Sequence, residues 1–307
     1  MPSIYTCTMN PAIDVFIAVD KYLPNAVNRT IEQDVQPNGK GVNISFVLKM
    51  LGIDSTAIGF SAGFTGSFIE TELEKKGITA DFIEVEGITR LNIFTRVYSE
   101  QTEYKLVNPG PAVPKESVAR LLDKIASFTQ GDTLCVSGSN PVGVPADIIV
   151  EIAKIANHNG VRLVLDSSSK AVINTLAYKP YIIKPNIDEL AAWMGKSSLT
   201  DSEAIEYGKK LAESVEHVLI SLGANGAYYI NKTTVLHANA PDGEVVNTAC
   251  SGDTMLGSFL AHIINKKTAA EALSFAVSAG SATAFCKGLT DFSDVDELMK
   301  QVTVQNI

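Results

Sequence analysis

Short β-branched runs alternate with helix-periodic segments along most of this chain, and that alternation leaves little choice of architecture. Strand candidates at 3–9, 55–59, 133–136, 161–165, 181–183 and 217–221 are separated by apolar-periodic segments at 41–51, 67–76, 115–128, 146–157 and 202–214. Strands rejoined through helices run parallel, and a parallel sheet needs helices on both faces. The fold class is therefore α/β with a mainly parallel central sheet. The rhythm breaks at 13–36 and at 91–107, where in "LNIFTRVYSEQTEYKLV" two alternating runs flank a Ser-Glu-Gln turn as in a hairpin. These stretches predict a small antiparallel sheet that projects from the core as a lid or a dimer surface. With no internal repeat, low-complexity tract or long Pro/Ser-rich linker, one domain is expected over 1–307, with a lid from about 13–37 and 88–110 inserted in the α/β core.

A net charge of -9 argues against nucleic acid or an anionic membrane surface as partner, since both are bound through excess Lys and Arg. The longest uncharged run, "ALSFAVSAGSATAFC" at 272–286, is too short and too rich in Ala and Ser to span a bilayer, so no membrane segment is expected. "MPSIYTCTMNPAID" at the start has neither the basic flank nor the apolar stretch of a signal peptide, and a cytoplasmic location is the expectation. The four cysteines are widely spaced without CxxC and read as reduced thiols; the four histidines lack any HxxxH or HExxH spacing for a metal.

Two Gly-containing turns carry the chemistry. In "NTACSGDTMLGSF" (247–259) small residues and Asp253 stand directly before an apolar helical run. Free amides and the positive helix end make such a turn an anion site. A carboxylate there either complements the helix dipole or takes a proton from a hydroxyl that attacks a phosphoryl group, and the turn alone leaves both readings open. The second turn, "NGKGVNI" (38–44), fails as a dinucleotide fingerprint because Ile44 replaces the third glycine, and as a P-loop because Gly41 follows Lys40. It offers backbone amides, one cation and Asn43, which suits a polyhydroxy ligand bearing an anionic group.

Taken together, "NPAID" (10–14), "VNR" (27–29), "NGKGVN" (38–43), "GFTGSFIETELEKKGI" (63–78), "TRLN" (89–92), "NPGP" (108–111), "SGSNPVGVP" (137–145), "LDSSS" (165–169), "KPNIDEL" (184–190), "SLGANGA" (221–227) and "SGD" (251–253) give the chain an end-to-end likeness to a known family. It resembles the ribokinase-like (PfkB) carbohydrate kinases, in the branch holding 1-phosphofructokinase and tagatose-6-phosphate kinase. The resemblance implies a ribokinase-like fold and a catalytic turn of Cys250, Ser251, Gly252 and Asp253, with Asp253 as general base and the turn's amides stabilising the transferring phosphoryl group. It implies sugar contacts from Asp14, Gly39 and Asn43, substrate-phosphate contacts from Lys40, Arg90 and Lys105, and a substrate-side place for Ser139. On the nucleotide side it implies ATP at Lys184 and the loop Ser221, Leu222, Gly223, Ala224, Asn225 and Gly226, with Mg²⁺ organised by Asn186 and Glu189.

Three departures from the family pattern matter. Asn38 stands in place of the first Gly of GGKG; asparagine tolerates unusual backbone angles, so the turn is expected to survive. Phe94 and Thr95 stand where Val-Lys is common in 1-phosphofructokinases, which leaves the sugar the least defined feature. Cys250 replaces a glycine, so its backbone should keep negative φ or carry strain. The implied activity is ATP- and Mg²⁺-dependent phosphorylation of a ketohexose phosphate, fructose 1-phosphate to fructose 1,6-bisphosphate first, tagatose 6-phosphate second. A catalytically weak sugar-phosphate or nucleotide sensor is the alternative of another class. A homodimer through the lid strands is also expected, because a two-stranded hairpin cannot bury its own apolar face.

Overall fold

The computed structural model describes residues 2–307. In chain order the elements are β1 (Ile4–Thr8), β2 (Ala12–Val19), β3 (Glu32–Asn38), α1 (Lys40–Met50), β4 (Thr56–Ser61), α2 (Gly63–Lys75), β5 (Thr79–Glu84), β6 (Arg90–Val97), β7 (Thr102–Leu106), α3 (Lys115–Ala126), β8 (Thr133–Ser137), α4 (Ile148–Asn159) and β9 (Arg162–Asp166). A 3-10 stretch (Lys170–Tyr178) leads to β10 (Ile182–Ile183), α5 (Ile187–Trp193), α6 (Asp201–Ala212), β11 (His217–Ser221) and a 3-10 turn (Gly223–Asn225). The chain ends with β12 (Ala227–Ile230), β13 (Val235–Ala238), α7 (Ser251–Ile264), α8 (Ala269–Ala284), α9 (Val295–Met299) and β14 (Val304–Asn306).

The large sheet has the order β14-β13-β12-β11-β10-β9-β8-β1-β4-β5. It is parallel from β5 to β11 and antiparallel where β12, β13 and β14 extend it. Alternate side chains of the inner strands enter separate apolar layers, as the two-residue period of a strand requires. Leu134 and Val136 of β8 pack with Leu121, Ile125, Ile152 and Leu211 from α3, α4 and α6. Cys135, between them, faces the layer of Leu48, Leu256, Phe259, Leu260 and Leu273 from α1, α7 and α8. Both faces are thus covered, and α7 is buried from Asp253 to Ala261.

The small sheet runs β3-β2-β6-β7. Its outer pairings, β2 with β3 and β6 with β7, are antiparallel as expected, and the two hairpins are joined by a parallel β2–β6 pair. Parallel pairing follows because β2 and β6 both enter the sheet from the core edge, with Ala12 level with Arg90 and Asp14 level with Asn92. One face, carrying Ile13, Val15 and Leu91, packs on Val42, Phe46, Ile69 and Leu73 of α1 and α2. The opposite face carries Asp14 and Asn92 over the C-terminal edge of the large sheet.

Candidate active site

The parallel strands end at one edge, and there the helix α7 begins. Thr254 makes the first backbone bond of the helix, to Cys250 O at 2.9 Å. The amides of Cys250, Ser251, Gly252 and Asp253 therefore stay free of helical bonding, as at any helix start. Cys250 caps α7 with φ 64, in the left-handed region. Of the two outcomes expected for this residue the strained one occurs, at a cost of about 1–3 kcal/mol. A Cβ on Gly252 would lie only 3.3 Å from Lys184 Nζ, so glycine lets that cation approach the turn. Burial first, then the charges of Asp253 and Asp14, push the Cys250 thiol well above the ordinary range, which keeps it a protonated thiol at neutral pH.

Asp253 is buried, and its Oδ2 accepts from Asn43 Nδ2 at 2.8 Å. Burial, helped by the neighbouring charge of Asp166, raises its carboxyl to about 7 against the opposing effects of Lys40, the Asn43 bond and Lys184. A carboxylate so tuned changes charge near the working pH, the condition for effective general-base catalysis.

Asp166, the last residue of β9, is fully buried. Its Oδ1 lies 3.1 Å from Lys40 Nζ and 3.4 Å from Lys184 Nζ, while its Oδ2 has no partner. It joins two expected site lysines, yet the sequence reading did not single it out. Its signal was "LDSSS", a carboxylate closing an apolar run at the sheet edge. Burial works against the charge of Lys40, but Asp166, Asp253 and Glu189 together hold its pKa above the usual value. Lys40 opens α1 behind Gly39, whose φ of 139 and whose missing Cβ, 2.7 Å from Thr8 Cγ2 if present, both require glycine. Because Gly39 takes the unusual angle, Asn38 remains an ordinary strand residue, and the backbone tolerance expected of it is not used.

On the lid side, Asp14 Oδ1 accepts from Asn92 Nδ2 at 2.8 Å and its Oδ2 from Asn38 Nδ2. Burial pushes the Asp14 carboxyl up, against these two bonds and the charge of Arg90. Arg90 bonds Asn108 O at 3.4 Å, and its buried Nε lacks a partner, as do the buried Oδ1 atoms of Asn10 and Asn92. A cleft of about 570 Å³ is lined by Asp14, Asn38, Asn43 and Cys250 among others. Ser139 is exposed and follows Gly138, which lies against the Lys40 side chain. Lys105 is not brought to this group: it sits on the exposed edge strand β7 with Nζ 3.0 Å from Glu103 Oε2.

Asn186 and Glu189 form a capping box on α5. Asn186 Oδ1 accepts from Glu189 N at 2.7 Å, and Glu189 Oε2 from Asn186 N at 2.9 Å. The Ser221–Gly226 loop is a tight connection between antiparallel strands, with Leu222 N bonded to Gly226 O at 2.8 Å. A bridge from Ser221 to Asn186 sets it beside the segment that begins with Lys184. Among the described residues no group of three or more His, Cys, Asp or Glu could by itself hold a metal ion, and no helix is long and apolar enough to cross a membrane.

A family model described as "pfkB family carbohydrate kinase" matches residues 7–296. The chain is 48% identical over 306 residues to the D-tagatose-1-phosphate kinase of Bacillus licheniformis, covering 99% of this chain and 100% of that one. It is 35% identical over 305 residues to the 1-phosphofructokinase of Bacillus subtilis, covering 99% and 100%. Among solved structures, Escherichia coli phosphofructokinase-2 in complex with substrates and products superposes with a TM-score of 0.90 at 25% identity, over 97% of this chain and 98% of that one.

Proposed function

The chain belongs to the pfkB family of carbohydrate kinases, and from that premise we propose that it transfers the γ-phosphoryl group of ATP to the 6-hydroxyl of a ketohexose 1-phosphate. Fructose 1-phosphate, giving fructose 1,6-bisphosphate, is the first reading. Tagatose 1-phosphate is the second, favoured by the relative at 48% identity; the two sugars differ in the configuration of one hydroxyl. The observation that carries the proposal is Asp253, a buried carboxylate near neutral pKa at the foot of a turn of free amides, with Lys40 and Lys184 acting on it.

In this reading Asp253 takes the proton of the 6-hydroxyl as that oxygen bonds to the γ-phosphorus and the bond to the ADP oxygen breaks. The amides from Cys250 to Asp253 receive charge on the transferring group, and Lys40 and Lys184 flank it. Asp14 and Asn43 hold sugar hydroxyls, and Arg90 holds the 1-phosphate. Lys184 and the Ser221–Gly226 loop meet the nucleotide. The chain fits Mg²⁺ only as an ion that keeps waters and nucleotide oxygens: the unpartnered Asp166 Oδ2 and the Glu189 carboxylate would hold it, Asn186 acting through the capping box. When bound, Mg²⁺ offsets negative charge on the phosphates.

Coupled ADP release, measured with fructose 1-phosphate, tagatose 1-phosphate, fructose 6-phosphate and tagatose 6-phosphate, tests the substrate. A 1-phosphate is expected to give the highest kcat/KM; a 6-phosphate in first place would reverse the reading. In the same assay Arg90→Ala is expected to raise KM for the sugar phosphate by roughly 10–100-fold, the worth of one charge-assisted phosphate contact, and KM for ATP far less. An equal rise in both would move Arg90 out of the sugar site.

The proposal includes one kinase domain over 1–307 with the lid inserted, and a homodimer through that lid. Tyr104 and Leu106 of β7, Val107 beyond it and Val35 of β3 are exposed apolar groups on the small sheet and its border. Light scattering at micromolar concentration should give the mass of two chains, and a monomer there would refute the dimer.

A further inference from the structure

We propose that Asn38 is a positioning residue that ties the sugar-holding carboxylate of Asp14 to the base Asp253 through Asn43. The inference rests on the kinase reading above. Asn38 ends β3 level with Ala12, where the lid strands meet the start of α1. Its Nδ2 donates to Asp14 Oδ2, and its Oδ1 accepts from Asn43 Nδ2 at 2.8 Å and from the Gly39 N–H. Asn43 Nδ2 also donates to Asp253 Oδ2 at 2.8 Å.

A primary amide has two N–H donors. Those of Asn43 are taken by Asn38 and Asp253, with Cys250 Sγ as a weaker neighbour at 3.2 Å. The Asn43 carbonyl oxygen is then the end left for a sugar hydroxyl. Neither amide can turn over without setting an oxygen against a carboxylate oxygen, so two acceptors at the ends fix two amides between them. Asp14 and Asn38 ride on lid strands, whereas Asn43 and Asp253 sit on the core helices α1 and α7. A sugar held by Asp14 is thereby set at a defined place relative to the base once the lid is seated. Without the Asn38 side chain, Asn43 still reaches Asp253 but loses the acceptor that orients it and its tie to Asp14.

The test is steady-state kinetics with the ketohexose 1-phosphate that the wild-type enzyme uses best. Asn38→Ala is expected to lower kcat about tenfold and to raise KM for the sugar phosphate about three- to tenfold, with KM for ATP within about twofold, since a misplaced acceptor loses orientation. Asn38→Gly serves as a second variant where alanine impairs folding, checked by thermal melting. Adding Asn38→Ala to Asn43→Ala should cost little more in kcat than Asn43→Ala alone, because a residue acting through another is not additive with it. Wild-type parameters in the Asn38 variants, equal rises in both KM values, or additive losses would each overturn the relay while leaving the kinase reading standing. Absence of wild-type turnover on every ketohexose phosphate would overturn both.

Discussion

Asp253→Asn is expected to lower kcat by about 10²–10⁴-fold, the usual worth of a positioned general base. The substitution keeps the shape of the side chain and leaves Asn43, Lys40 and Lys184 in place. Nucleotide affinity should stay the same or improve, because a negative charge beside the γ-phosphate is removed. Retention of more than about a tenth of wild-type kcat would take the role of base from Asp253. The wild-type pH profile carries the same signature. As the proposed base, Asp253 must be deprotonated, and its carboxyl lies at about 7, so kcat/KM should fall as pH drops through that region. Stability runs the other way. A carboxyl raised from 3.8 to about 7 by folding weakens the native state progressively as pH rises between those values. Asp253→Asn should therefore melt higher than wild type at pH 8, by roughly 2–6 °C, and no higher at pH 4.

Asp166→Asn is expected to cost both stability and turnover. Its carboxylate is the counter-charge for the buried Lys184 and for Lys40. Removing one partner of a buried pair leaves an uncompensated charge, typically at about 3–5 kcal/mol, which lowers Tm by roughly 6–15 °C in a chain of this size. Asp166 is also the charge that most raises the Asp253 carboxyl after burial itself. Without it the acid limb of the pH profile should move to lower pH even as the maximum rate falls. A melting temperature within about 2 °C of wild type would show that the two lysines find other partners.

The alternating pattern made much of the core legible because each strand and each helix had its own period. β1, β4, β8, β9, β10 and β11 lie where apolar β-branched runs placed them, and α1 begins at the Gly-rich turn. The extension by β12, β13 and β14 was hidden because strands such as Ala227–Ile230 and Val235–Ala238 have four residues each, too few to show a period. The parallel β2–β6 pair was hidden for another reason: Asp14 and Asn92 are 78 residues apart, and no local signal reports such a partner. In the turn before α7 the small residues marked an anion site, but the proposed role of Asp253 as base came from the resemblance. Asp166 was not legible, since a carboxylate followed by serines reads as an ordinary turn until Lys40 and Lys184 are seen to converge on it. Lys105 was named from the family pattern, and such a pattern does not say which neighbour the charge meets within one chain: here it is Glu103.

In the proposed mechanism, the placement of the base on α7, a helix buried between the sheet and α8, divides the labour of the enzyme. Leu256, Phe259 and Leu260 are wholly enclosed, so the end of the helix that carries Asp253 has little freedom to adapt. The strands β2 and β6, which present Asp14 and Arg90, belong to the separate small sheet. The strands that would choose among sugars in that mechanism can therefore change without disturbing the helix that would carry the base. A rigid core helix under a separate cover would let substrate preference be altered at Asp14 and Arg90 with the geometry around Asp253 kept.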